Sequence, residues 1–160
     1  MSKKRVSRRP LIRLASDDAV HELMQLCDVA SERFLPWLRG PVVLGPSFRA
    51  SGLLPADADL IAGGSLLELK VMVGTKSQAT GLRREFLKKE YFYQVLAYAL
   101  FDTMDEYSIT ELGIYSARYG NLHTWPLSEV LYRSAGRPVD LASERLAIWK
   151  LLGGRTRNGH

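Results

Sequence analysis

The sequence predicts a mixed α/β domain with a central sheet flanked by helices, and three observations carry that expectation. Helical apolar patterns over residues 16–39 and 82–104 are each followed by short extended segments. Gly63-Gly64 lies between two apolar runs, a strong two-residue hairpin signal, because both central residues of such a turn need positive φ. Tyr119-Gly120-Asn121 marks a second reversal between extended segments. Helix, strands, helix, strands is the order of a sheet with helices packed on it.

Residues 1–13 read as a flexible basic arm crowded with Lys3, Lys4, Arg5, Arg8, Arg9 and Arg13. Ser16 is a natural N-cap, and Asp17 and Asp18 favour the positive end of a helix running to about Arg39. Leu23, Leu26, Cys27, Ala30, Phe34 and Leu38 form its apolar stripe, and Pro36 predicts a kink or an early end. Pro41 opens an extended stretch through about Phe48, with a loop to Pro55. Ala58–Val73 is the Gly63-Gly64 hairpin, and Gly74–Gly81 is a polar loop. A second long helix is expected from about Leu82 to Met104. Ile109–Arg118 and Asn121–Trp125 form the second hairpin, and helices follow over about Leu127–Ala135 and Leu141–Leu152. Residues 14–152 therefore read as one domain, with residues 153–160 as a flexible tail and no internal repeat.

Composition narrows the function. At 160 residues and 46% apolar content, the chain can bury a core without covalent staples. A single cysteine, Cys27, excludes a disulfide framework and a Cys-rich zinc or iron–sulfur site, and its place on the apolar stripe predicts burial. No apolar run reaches membrane-spanning length, and no apolar signal region follows the basic start. A soluble, cytoplasmic protein without a membrane partner is the expectation. The formal net charge of +5 favours a polyanionic partner such as nucleic acid, with Arg155 and Arg157 adding charge near the other end. A protein partner or a second copy of the chain stays open.

The first hairpin concentrates the chemistry. With a two-residue turn, Ala62 faces Ser65, Leu60 faces Leu67, Asp59 faces Glu68 and Asp57 faces Lys70; a three-residue loop would shift this register by one. The two-residue version puts Ala58, Leu60, Ala62, Leu67, Leu69, Val71 and Val73 on one face. Asp57, Asp59, Glu68 and Lys70 share the other, beside Ile61, Leu66 and Met72. Opposed residues have Cβ atoms about 5 Å apart, so two or three carboxylates and an ammonium gather in one patch. That is a divalent-metal site with a basic residue at its edge, or else a solvated hairpin face with cross-strand ion pairs. On the following helix, Gln94 and Tyr98 stand at i and i+4, hence on one face, in a stripe with Leu87, Tyr91 and Phe101.

Asp59…Glu68-Leu69-Lys70…Gln94-x-x-x-Tyr98 resembles the PD-(D/E)XK nuclease superfamily, in the RecB-like branch that carries a Q-x-x-x-Y motif. The resemblance spans about Ala15 to Trp125. It implies an αβββαβ core and metal-dependent cleavage of nucleic-acid phosphodiesters, with DNA the expected substrate. Asp59 and Glu68 would be metal ligands, Lys70 the catalytic lysine, and Gln94 and Tyr98 would shape the site or hold the nucleic acid. The chain departs from the family in lacking a PD dipeptide: Pro55-Ala56-Asp57-Ala58-Asp59 offers two aspartates. Asp59 is the better candidate, with Asp57 a second ligand or an ion-pair partner of Lys70. Many relatives also use an acid from the first helix, for which Glu22 and Glu32 are candidates and His21 a weaker one.

The chemistry of those residue types supports the same roles. Mg²⁺ or Mn²⁺ prefers carboxylate oxygen and lowers the pKa of bound water while neutralising phosphate charge. The Leu69 carbonyl could add a ligand. Lys70 could orient or deprotonate the attacking water or stabilise the pentavalent phosphorus. Arg83, Arg84, Lys88 and Lys89, placed at the start of the second helix, could follow a phosphate backbone, and Tyr91, Phe92 and Tyr93 could stack on bases. Gly74-Thr75-Lys76 lacks the earlier glycine of a phosphate loop, and no G-x-S-x-G elbow occurs. A catalytically silent nucleic-acid-binding module of the same fold is the alternative, and a protein-interaction domain the third reading.

Overall fold

Gly63 and Gly64 adopt φ of +55° and +86° and close the turn between β2 (Leu60–Ala62) and β3 (Ser65–Lys70). The pairing is Leu60 with Leu67, Ile61 with Leu66 and Ala62 with Ser65, the two-residue register. A computed structural model describes residues 15–155. The basic arm and the end of the tail, including Lys3, Lys4, Arg5, Arg8, Arg9, Arg13 and Arg157, lie outside the described residues.

The fold is mixed α/β. A five-stranded sheet runs in the order β1 (Val42–Leu44), β2, β3, β6 (Glu111–Ser116), β7 (Asn121–Pro126). All neighbours are antiparallel except β3 and β6, which pair in parallel from Ser65–Glu111 to Lys70–Ser116. A parallel pair needs a crossover connection, and helix α2 (Lys89–Phe101) supplies it. Helices α1 (Asp17–Arg33), α3 (Leu127–Ala135) and α4 (Leu141–Leu151) complete the layers. Among the described residues, no helix is long and apolar enough to cross a membrane.

Two hydrophobic clusters sandwich the sheet. One face carries Ile61, Leu66, Leu112 and Ile114 against Val95 and Ala99 of α2 and Leu127 and Leu131 of α3. The other carries Leu60, Leu67 and Tyr115 against Phe34, whose ring stacks on Tyr115 at 4.3 Å, with Leu26 and Ala30 of α1 behind. Alternating residues of β3 thus enter opposite clusters, as strand geometry requires. Leu67 is fully buried in the second cluster, and its Cδ2 fills the space beside Gly113. Leu67→Ala should therefore lower stability by about 2–5 kcal/mol, read as a fall in the urea midpoint at unchanged slope.

Several expectations need correction. The second helix starts at Lys89, not Leu82: Thr75–Lys76 (β4) and Arg83–Arg84 (β5) form a separate antiparallel ribbon. Gly74 and Gly81 at positive φ permit that reversal, and Leu82 and Phe86 stay exposed instead of joining a helical stripe. The apolar hairpin face ends early, because β3 runs out of partner after Lys70, whose carbonyl accepts from Ala117 N–H at 2.9 Å. Leu69, Val71 and Val73 are exposed. Alternation also breaks at a bend on Asp59, so Ala58 joins the Ile61 face, not the Leu60 face.

Ser16 caps α1 through Ala19 N–H as expected, but the helix stops at Arg33 and Pro36 lies in a 3₁₀ turn, Leu35–Trp37. Cys27 is exposed, not core, because α1 contributes only its inner edge to the sheet. Val20, Leu23 and Met24 are exposed with it. The second hairpin and the last two helices fall close to their expected bounds.

Candidate active site

Glu68 and Lys70 stand two residues apart on β3 and therefore point to the same face, the one covered by α2. Gln94 and Tyr98, one turn apart on α2, meet them there. Lys70 Nζ donates to Glu68 Oε1 and to Gln94 Oε1, both at 2.8 Å. Gln94 Nε2 donates to Glu68 Oε1 and to Tyr98 Oη, again at 2.8 Å each. The four side chains form one connected network. Lys70 Nζ also lies 5.1 Å from the centroid of the Tyr91 ring, within cation–π range. Tyr98 stacks on Phe48 at 5.9 Å, which fixes its ring.

Glu68 is 6% exposed, an unusual environment for a carboxylate. Burial pushes its pKa above the usual value, and the Asp59 charge adds to the rise; the Lys70 ammonium works against both. Oε1 is satisfied by Lys70 and Gln94, but the buried Oε2 has no hydrogen-bond partner among the described residues. A buried, unpartnered carboxylate oxygen costs free energy unless another group compensates it. Asp59 is exposed and its Oδ2 accepts from Leu69 N–H at 2.7 Å, which ties this carboxylate to the strand between Glu68 and Lys70. Asp59, Glu68 and the Leu69 main chain thus adjoin one another. Their hard oxygens suit Mg²⁺ or Mn²⁺, which keeps several waters and needs few protein ligands. Among the described residues, no group of three or more Asp, Glu, His or Cys side chains is placed to hold a metal.

Asp57 does not face Lys70. The strand starts at Leu60, and Asp57 instead pairs with Ser47 in an isolated bridge. The α1 candidates are also elsewhere, since that helix packs on the opposite face of the sheet from Glu68. Glu22 is ion-paired with Arg118, His21 contacts Gln25 at 3.1 Å, and Glu32 is exposed. Arg83 and Arg84 lie exposed on β5 and not on a helix, whereas Lys88 is the N-cap of α2 and Lys89 its first residue.

A second polar cluster escaped the sequence reading. Glu85 accepts from Asn121 Nδ2 at 2.7 Å and contacts His123 Nε2 at 3.0 Å. Ser116, fully buried, is the β6 partner of Lys70, so this cluster continues the site along the same sheet face. Asn121 and His123 at i and i+2 were the available signal, hidden because Glu85 fell inside an expected helix. Burial alone would raise the Glu85 pKa, but the surrounding Asn121, Ser116 and His123 side chains outweigh it and hold the carboxyl below the usual range. A depressed pKa contributes stability above the unfolded value near 4.5 that disappears as pH falls through the folded value. Glu85→Gln should cost about 1 kcal/mol at neutral pH, with the difference from wild type vanishing in acid; urea titrations across pH 3–7 check it.

The chain was compared with protein-family models, curated proteins and solved structures, and none matches it.

Proposed function

We propose that the protein is a metal-dependent nuclease of the PD-(D/E)XK type that hydrolyses phosphodiester bonds of nucleic acid, with DNA as the expected substrate. One observation carries the reading: Glu68, Lys70, Gln94 and Tyr98 form a single hydrogen-bonded network beside Asp59, while Glu68 Oε2 is buried and unpartnered. The sheet order and the α2 crossover are compatible with the αβββαβ core that the motif resemblance implies.

Asp59 and Glu68 would hold Mg²⁺ or Mn²⁺, with the Leu69 carbonyl as a further oxygen donor. Such an ion, when bound, neutralises phosphate charge and lowers the pKa of water. The chain's own groups do the rest. Lys70 has three N–H donors, of which Glu68 and Gln94 take two; the third is free for the attacking water or a non-bridging phosphate oxygen. Gln94 holds the Lys70 ammonium and the Glu68 carboxylate in one geometry, so neither has to reorganise when charge develops. Tyr98 Oη accepts from Gln94 and so keeps its own O–H to donate to a phosphate oxygen.

Cleavage of linear and circular, single- and double-stranded DNA with Mg²⁺ or Mn²⁺, against EDTA controls, tests the reading. Metal-dependent cutting supports it, and the circular substrates separate endonuclease from exonuclease action. Binding by folded protein without cutting under any metal would replace it with the silent nucleic-acid-binding module.

A further inference from the structure

We infer that a groove leading away from Lys70 is a subsite for one unpaired nucleotide next to the scissile phosphate, with Phe86 stacking on its base and Lys88 taking its phosphate. This rests on the nuclease reading and adds the substrate feature that the site selects.

A cleft of about 370 Å³ begins at Lys70 and is lined by the Val71–Thr75 segment on one side and by Phe86, Lys88 and Tyr91 on the other. Its two walls come from the segment that follows the strand carrying the candidate catalytic lysine and from the lead-in to α2. The residues on the second wall alternate: Glu85 and Leu87 are half-buried, whereas Phe86 and Lys88 are exposed. Glu85 is anchored on Asn121 and His123, and Leu87 packs against the core. In an extended segment those two anchors turn Phe86 and Lys88 outward together. Phe86 is 60% exposed, so its ring has no internal packing role to explain it.

The first wall is held as firmly. Tyr119 Oη donates to the Val73 carbonyl at 3.0 Å, and Arg83 donates to the Gly74 carbonyl at 3.1 Å. At Gly74, φ is +72° and a Cβ would collide with Tyr119 Oη and the Arg84 carbonyl, so this close approach needs glycine. The cleft is therefore built into the fold, and the exposed Lys76, Arg83 and Arg84 beyond it extend the positive charge.

Charge and shape choose the occupant. Lys70 and Lys88 in the lining suit a phosphate, and the exposed Phe86 that lines the same cleft suits any base, since every base has a π-face. The bases of a duplex are already stacked on one another, and a cleft of this size admits a single unpaired nucleotide and not a paired helix.

Fluorescence anisotropy with a labelled single-stranded oligonucleotide and a blunt duplex of equal length, in EDTA so that no cutting occurs, tests this. Phe86→Ala should weaken single-strand binding about tenfold and duplex binding far less, and Phe86→Trp should retain it. Lys88→Ala should weaken binding and flatten its salt dependence. Equal affinity of Phe86→Ala and wild type for the single strand, or an equal loss on both substrates with an unchanged circular dichroism spectrum, would overturn the subsite. Metal-dependent cutting alongside either result would sink the subsite alone. A Phe86 effect on binding without any cutting would keep the subsite and sink the nuclease.

Discussion

Lys70→Ala is expected to reduce metal-dependent cleavage by about 10³-fold while leaving the fold intact. The reason is local. Lys70 supplies the ammonium that Glu68 and Gln94 hold in place, and alanine removes that charge from the network. Gln94 would keep its bonds to Glu68 and Tyr98, so the site would stay assembled but without its cation. The cost to stability should be modest, because β3 retains its pairing with β2 and β6. Initial cleavage rates with Mn²⁺, beside thermal unfolding and circular dichroism of the same samples, measure both halves. Undiminished cutting by a folded Lys70→Ala protein would mean that the reaction occurs elsewhere.

Glu68→Gln should move activity and stability in opposite directions. A raised carboxyl pKa means that the protonated form is favoured by the fold. That contribution is complete below the unfolded value of about 4.5 and is lost as pH rises through the folded value. Above the folded value the wild-type carboxylate is a buried negative charge with an unpartnered oxygen. A neutral amide of the same shape relieves it and should stabilise the metal-free protein by on the order of 1 kcal/mol. Cleavage should be lost, because the amide is a poor ligand for a hard cation. Mg²⁺ at a hundredfold excess over its Kd should stabilise wild type by about 3 kcal/mol and the variant hardly at all. Melting curves with and without Mg²⁺ separate the cases, and a variant less stable than wild type without metal would show that Glu68 is structural.

Much of this arrangement was legible along the chain because it depends on local periodicity. Gly63-Gly64 dictates the turn, and the turn dictates that Leu60 meets Leu67 and that Glu68 and Lys70 share a face. Helical spacing puts Gln94 and Tyr98 together in the same way. Boundaries were less legible. The helix expected from Leu82 begins at Lys89, since nothing local distinguishes an extended Glu85–Lys88 segment from a first helical turn; the anchors that extend it, Asn121 and His123, come from 36 and 38 residues away. Asp57 shows the complementary failure. A hairpin register extrapolated past Leu60 places it opposite Lys70, but Ser47, beyond the end of β1, captures it in an isolated bridge and the bend at Asp59 breaks the alternation.

By itself, then, the sequence determined the mixed α/β class, the hairpin register and the identity of the residues that meet around Lys70, because these follow from periods of 2 and 3.6 residues and from glycine's access to positive φ. Only the tertiary structure decided that α1 lies on the far face of the sheet from Glu68. It also decided that Glu68 is buried with one oxygen unpartnered and that Phe86 and Lys88 open onto a cleft beside Lys70. Those outcomes depend on which distant segments desolvate a group or pin a strand, and such contacts leave no periodic trace in the chain.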